Sequence, residues 1–399
     1  MTTLSRHRIP VKWIHRVFEQ HLGIDVHEWG HAGDAKRSDM KKLWSIPLLF
    51  LGACPPASAQ ESAAQVIAVP GYANFAEIDP VDDTGYRRST KPDILLAGGG
   101  QPVRFDPISA DLVIASHPNP SRHWGLKVAA PSGDATSGTH FTIGTSGANA
   151  LATHTAHRIY DAVERAYPQL TATMDHGHKA ALIKALLVHC ASWRDVEEFI
   201  RPIVDPEGSL HHEHWRREVC RHLGYGFVDP EDAIACAGDR ATMWATGTLG
   251  IEGSTMFNVP VPPALGTSAN HREVRATLAW LAPIRPGHLA YRAVKLKINA
   301  LSGEDLGSFG VSTTTSQPSN SQSESGTIIH RRWRDARIGN FEEDAAIPIH
   351  IQREKDQGTP IDDPIPFGLA VTVEMPGAQE IYAQVLQNIA LKPQLQIPV

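Results

Sequence analysis

The chain has 399 residues, 42% hydrophobic and 20% charged, with a net charge of −6. That length accommodates two domains and a sizeable core, and the slight acidity argues against the basic face a nucleic-acid partner requires. The four cysteines, Cys54, Cys190, Cys220 and Cys236, form no CxxC pair. They read as reduced thiols of a cytoplasmic protein, not as a disulfide framework or a zinc site.

Residues 1–45 form an atypical histidine-rich segment with His7, His15, His21, His27 and His31, in which Val11 to Leu22 has the spacing of an amphipathic helix. From Met40 the chain reads Met-Lys-Lys, then a largely apolar run from Leu43 to Ala53, then Cys54. With Leu51-Gly52-Ala53-Cys54 this resembles a lipoprotein-type export signal, implying an exported lipoprotein if Met40 is the true start. The alternative is a buried strand, Ile46 to Leu51. The run is too short for a membrane span.

Residues 46–245 read as α/β. Gln65 to Val69 is a buried strand, Pro92 to Ala97 a strand running into three glycines, and 101–143 a set of short strands and loops. Ala148 to Ala166 has helical spacing and a small-residue start suited to burial, and His178 to Cys190 predicts a second helix. Trp193 to Ile200 extends the helical pattern.

Beyond 246 the period changes to two. Phe257 to Pro262, Val274 to Trp280, Ala293 to Ile298, Ile347 to Ile351 and Leu369 to Glu374 alternate, which predicts an antiparallel β-sandwich over 246–399. Residues 312–326 are almost all Ser, Thr, Gln, Asn and Pro, and read as a solvated polar loop or a disordered insertion.

The candidate chemistry is at Gly144-Thr145-Ser146-Gly147-Ala148. A glycine-containing turn followed at once by a helix displays a serine hydroxyl and sets a helix N-terminus behind it, where developing negative charge is favoured. The plainer alternative is a serine that only caps the helix. As a nucleophile, Ser146 needs a base, a group that orients the base, and oxyanion donors.

This motif resembles the nucleophile motif of the subtilase (subtilisin-like serine peptidase) family. Lys91-Pro92-Asp93-Ile94 through Gly99 resembles that family's KPDI-x-APG strand, and Val66 to Val69 its VIAVGA strand. Ala181 to Trp193 resembles the helix after the nucleophile helix, and Leu223-Gly224-Tyr225-Gly226 the closing loop. Arg275 to Pro283 resembles the start of the β-sandwich appended to larger subtilases, and the pattern is nearest to large bacterial members, some linked to phage-defence operons. The resemblance implies an N-terminally incomplete subtilisin-like parallel-sheet domain and then the sandwich. It implies a serine endopeptidase acting on a polypeptide substrate, with Ser146 as catalytic nucleophile, Asp93 structural, and no cofactor.

Several departures bear on activity. Ala150 stands where the family has proline. No HGTxVAG motif precedes the serine; the nearest histidine, His31 in Gly30-His31-Ala32-Gly33, lacks the threonine, and Asp25 lies only six residues before it. Cys54 takes the place of the oxyanion asparagine and lacks its amide donor. In serine peptidases one such donor is worth about 10²–10³ in turnover, and the base about 10⁶. The alternative is therefore a non-catalytic subtilase remnant that binds peptide or protein. A minor alternative is a zinc hydrolase at His27-Glu28-Trp29-Gly30-His31, which matches HExxH. His211-His212-Glu213-His214 reads as an exposed helix start.

Overall fold

The computed structural model describes residues 66–69, 90, 92–98, 103–106, 111–114, 126–130, 138–142, 145–234, 236–267, 271–283, 292–299, 316–334, 346–354 and 361–391. It is mixed α/β, with parallel and antiparallel sheets. The chain divides into two compact units, residues 1–69 with 95–152, and residues 70–94 with 153–399.

In the first unit, β1 (Val66–Val69) neighbours β2 (Ile94–Ala97). Two antiparallel pairs follow. β3 (Val103–Asp106) pairs with β4 (Asp111–Ile114), and β5 (Leu126–Ala129) with β6 (Thr139–Thr142), Leu126 opposite Thr142. Helix α1 (Thr145–Ala166) starts three residues after β6 ends, and its residues from Thr153 on belong to the second unit. It begins earlier than Ala148, because Thr145, Ser146 and Gly147 already form its first turn.

The second unit continues with α2 (Pro168–Thr173), α3 (His176–His189), β7 (Ala191–Ser192), α4 (Val196–Val204), α5 (His212–Leu223), β8 (Phe227–Val228) and α6 (Pro230–Ile234). Asp175 caps α3 by accepting the His178 backbone N–H at 2.8 Å. Gly224 ends α5 with φ +57°, and a Cβ there would lie 1.9 Å from the Pro92 carbonyl oxygen. The next residue, Tyr225, donates its N–H to the Asp93 carbonyl at 2.9 Å.

Then come β9 (Arg240–Leu249), β10 (Ser254–Pro260), α7 (Pro263–Thr267), β11 (Glu273–Trp280), β12 (Leu296–Asn299), α8 (Asn320–Ser325), β13 (Ile328–Arg334), β14 (Ala346–Arg353), β15 (Ile365–Glu374) and α9 (Ile381–Leu391). Four strands form an antiparallel sheet in the order β13-β11-β15-β9, and three form a second in the order β10-β14-β12. The expected alternation appears in both. Leu278, Trp280, Val371 and Val373 point to one side and share a core with Phe257, Leu296, Ile349 and Ile351 of the other sheet.

The opposite face of the four-stranded sheet is also buried, because α3 packs across β15 and β11. A Cβ on Gly368 would meet Leu182 Cα of this helix at 2.5 Å, so glycine sets the distance of closest approach. Ile159, Leu182, Leu186 and Ala370 form a small apolar cluster there.

The stretch 312–326 departs from the solvated loop that its composition predicts. Its described part, 316–326, contains α8 with a full capping box, Ser319 and Gln322 satisfying each other's backbone N–H groups. Ser323 is fully buried, and Gln317 nearly so. The buried Arg216 guanidinium explains why polar chain belongs inside: it donates to the carbonyls of Gln317 and Pro318, each at 2.8 Å.

Candidate active site

Ser146 is the second residue of α1 and its side chain is exposed. Ala148 and Ala152, one turn apart, are buried, so the helix turns small residues inward and the serine outward. The first turn of α1 holds no acidic residue. The partial positive charge of a helix N-terminus, about half an elementary charge, is therefore not cancelled by the helix's own first turn. Such a site lowers the cost of a developing oxyanion.

Among the described residues, no hydrogen bond or ion pair joins Ser146 to a histidine or a carboxylate. In its own unit the described residues include His140, exposed on β6 opposite Val128. Asp25, His27, Glu28, His31, Met40 and Cys54 lie outside the described residues. Asp93 is 4% exposed, and its backbone carbonyl holds Tyr225 as described above.

The His211 cluster forms an exposed helix start. His211 caps α5, its Nδ1 accepting the Glu213 N–H at 3.4 Å. Among the described residues no group of three or more His, Cys, Asp or Glu side chains could hold a metal, and no helix is long and apolar enough to cross a membrane. Cys190, Cys220 and Cys236 are free thiols.

A second polar constellation was not read from the sequence. On the α3 face of the four-stranded sheet, cross-strand register aligns rows. Arg334, Glu273, Glu374 and Arg240 form the first, Arg332, Arg275, Thr372 and Thr242 the second, and His330, Thr277, Ala370 and Trp244 the third. Glu273 accepts from Arg332 at 2.8–3.1 Å and from Arg334, with Arg275 3.0 Å away. Burial alone would raise the Glu273 carboxyl, but Arg332, Arg275 and Arg334 together hold it down to about 2.

His189 reaches down from α3 between two hydroxyls, Nδ1 2.8 Å from Thr277 Oγ1 and Nε2 2.6 Å from Thr372 Oγ1. Thr277 Oγ1 also meets His330 Nδ1 at 2.7 Å, and Thr372 Oγ1 meets Thr242 Oγ1 at 2.7 Å. Burial, reinforced by Arg332 and Arg275, pushes His330 down to about 3. Burial and Arg275 likewise hold His189 well below the ordinary histidine value. Both imidazoles are therefore neutral. The only sequence signal was the histidine closing the apolar run Leu186-Leu187-Val188.

No protein-family model matches this chain, and no curated protein matches it.

Proposed function

We propose that the chain is a serine hydrolase of the subtilase kind that cleaves polypeptide, with Ser146 as the nucleophile. The observation that carries this reading is an exposed serine in the first turn of a 22-residue helix directly after a strand, a turn that holds no acidic residue. The GTSGA and KPDI resemblances support it. In the reaction Ser146 Oγ forms a bond to the scissile carbonyl carbon while its proton passes to a base. The C–N bond then breaks, the amine leaves with that proton, and water hydrolyses the acyl-enzyme.

Reaction with a fluorophosphonate probe tests the idea. The purified full chain is expected to form a covalent adduct that peptide mapping places on Ser146, and Ser146→Ala is expected to abolish it. An unlabelled wild-type chain overturns the catalytic reading. The second reading, a peptide-binding module without catalysis, is favoured by Cys54 at the place of the amide donor. Saturable binding of an unstructured peptide by a chain that resists the probe would select it.

A further inference from the structure

We propose that the second unit holds a binding site for an uncharged, flat aromatic molecule carrying one hydroxyl or carbonyl group, in the cleft beside β9. The site is separate from Ser146 and does not rest on the role given to that residue.

The cleft lies at the edge of the four-stranded sheet, where β9 has only β15 as neighbour among the described strands. Its volume is about 460 Å³, and Val163, Tyr167, Cys236, Thr242, Trp244 and Tyr382 are among its walls. That volume is within the range of small-molecule sites. None of the described residues lining it is charged at neutral pH. A charged ligand would therefore lose its hydration without gaining a counter-charge.

Two features define the ligand. The first is the aromatic corner. The rings of Tyr167 and Trp244 stand 5.4 Å apart at 79°, edge to face. A flat ring entering such a corner stacks on the face of one ring and turns its edge to the face of the other, the two preferred aromatic geometries. Tyr167 and Tyr382 are 48% and 42% exposed, so aromatic surface is available to a ligand.

The second feature is the cleft's connection to the buried hydrogen-bond chain Thr242–Thr372–His189–Thr277–His330. Each hydroxyl has one hydrogen to give, and each neutral imidazole has one N–H and one lone-pair nitrogen. Two orderings satisfy every link without leaving the Thr277 or Thr372 hydrogen unused. In one, Thr242 gives its hydrogen to Thr372 and presents a lone pair to the cleft. In the other, Thr372 donates to Thr242, and the Thr242 O–H is left to donate into the cleft. The floor can therefore meet a hydroxyl or a carbonyl equally well, and the buried histidines make the exchange without any change of net charge.

Cys236 provides a reporter, because it is exposed while Cys190 and Cys220 are buried. The experiment measures alkylation of Cys236 by iodoacetamide in the full chain, assigned by peptide mapping, with 2-naphthol as the probe ligand. Calorimetry gives the affinity. Saturable protection of Cys236 is expected. Trp244→Ala should weaken 2-naphthol about tenfold. Thr242→Val should weaken it about three- to tenfold while leaving naphthalene unchanged. Because Trp244 also packs in the unit, Ala166→Trp, which fills the cleft from α1, serves as a second variant; thermal unfolding confirms that it is folded, and it should abolish protection. The proposal is overturned if 2-naphthol at its solubility limit gives no protection. It is equally overturned if a folded Ala166→Trp chain is still protected, or if tetramethylammonium protects as well as 2-naphthol.

Discussion

The two faces of the sheet β13-β11-β15-β9 are both buried at its centre, over β11 and β15, yet they are built by opposite rules. One is a conventional apolar surface, in which Leu278, Val371 and Val373 meet the second sheet. Its stability scales with the area removed from water and is insensitive to charge. The other carries Glu273, Arg275, Arg332, Thr277 and His330, all less than a tenth exposed. Here burial costs free energy for every group, and only complete pairing offsets it. The comparison shows that the same strand positions, one residue out of phase, can be stabilised by packing or by satisfied polarity, with different failure modes. The apolar face fails by degrees, whereas the polar face fails when one partner is lost.

The largest expected effect tests that contrast directly. Glu273→Gln leaves Arg275, Arg332 and Arg334 without their shared carboxylate and should destabilise by about 3–5 kcal/mol in urea unfolding. A loss below about 1 kcal/mol would mean that the guanidiniums find water instead. Leu278→Ala on the other face should cost about 2–5 kcal/mol through its cavity, with no dependence on pH between 5 and 8.

A third measurement sharpens the polar side. His330 and His189 have depressed folded values, so an unfolded chain binds protons near pH 6.5 that the folded chain refuses. The stability they support is complete above about pH 6.5 and is lost as pH falls toward the folded values, by about 1.4 kcal/mol per pH unit for each group. His330→Gln should remove one group's share of that slope between pH 6 and 4.5, read from urea midpoints. An unchanged slope would separate His330 from the acid response. The smallest effect is at α8, which packs beside β13 and whose Ser323 hydroxyl donates to the His330 carbonyl at 3.5 Å. Ser319→Ala removes its cap and should cost about 1 kcal/mol in thermal unfolding.

The apolar face was legible because alternation marks it, as at Val274 to Trp280 and Leu369 to Glu374, where the structure has strands. The polar face was not, because alternation states only that every second residue is polar. Nothing in Arg275 or His330 says whether water or α3 covers it. The same limit explains 312–326, where composition predicts solvent but Arg216 draws the carbonyls inward. The outward display of Ser146 was readable from small residues around a helix start. Whether a base faces it was not, since a triad is assembled by distance in space rather than spacing in sequence.

The contact between Gly224-Tyr225 and Pro92-Asp93 has a consequence in time. The two pieces are about 130 residues apart, and chains leave the ribosome at about 5–20 residues per second. Asp93 therefore waits on the order of 7–26 s, at that rate, before the backbone that takes its carbonyl has been synthesised. During that interval the strand beginning at Ile94, whose Ile-Leu-Leu-Ala sequence is apolar throughout, is exposed in a nascent chain. An apolar strand left without its later partner for that long is the kind of surface that chaperones bind during synthesis.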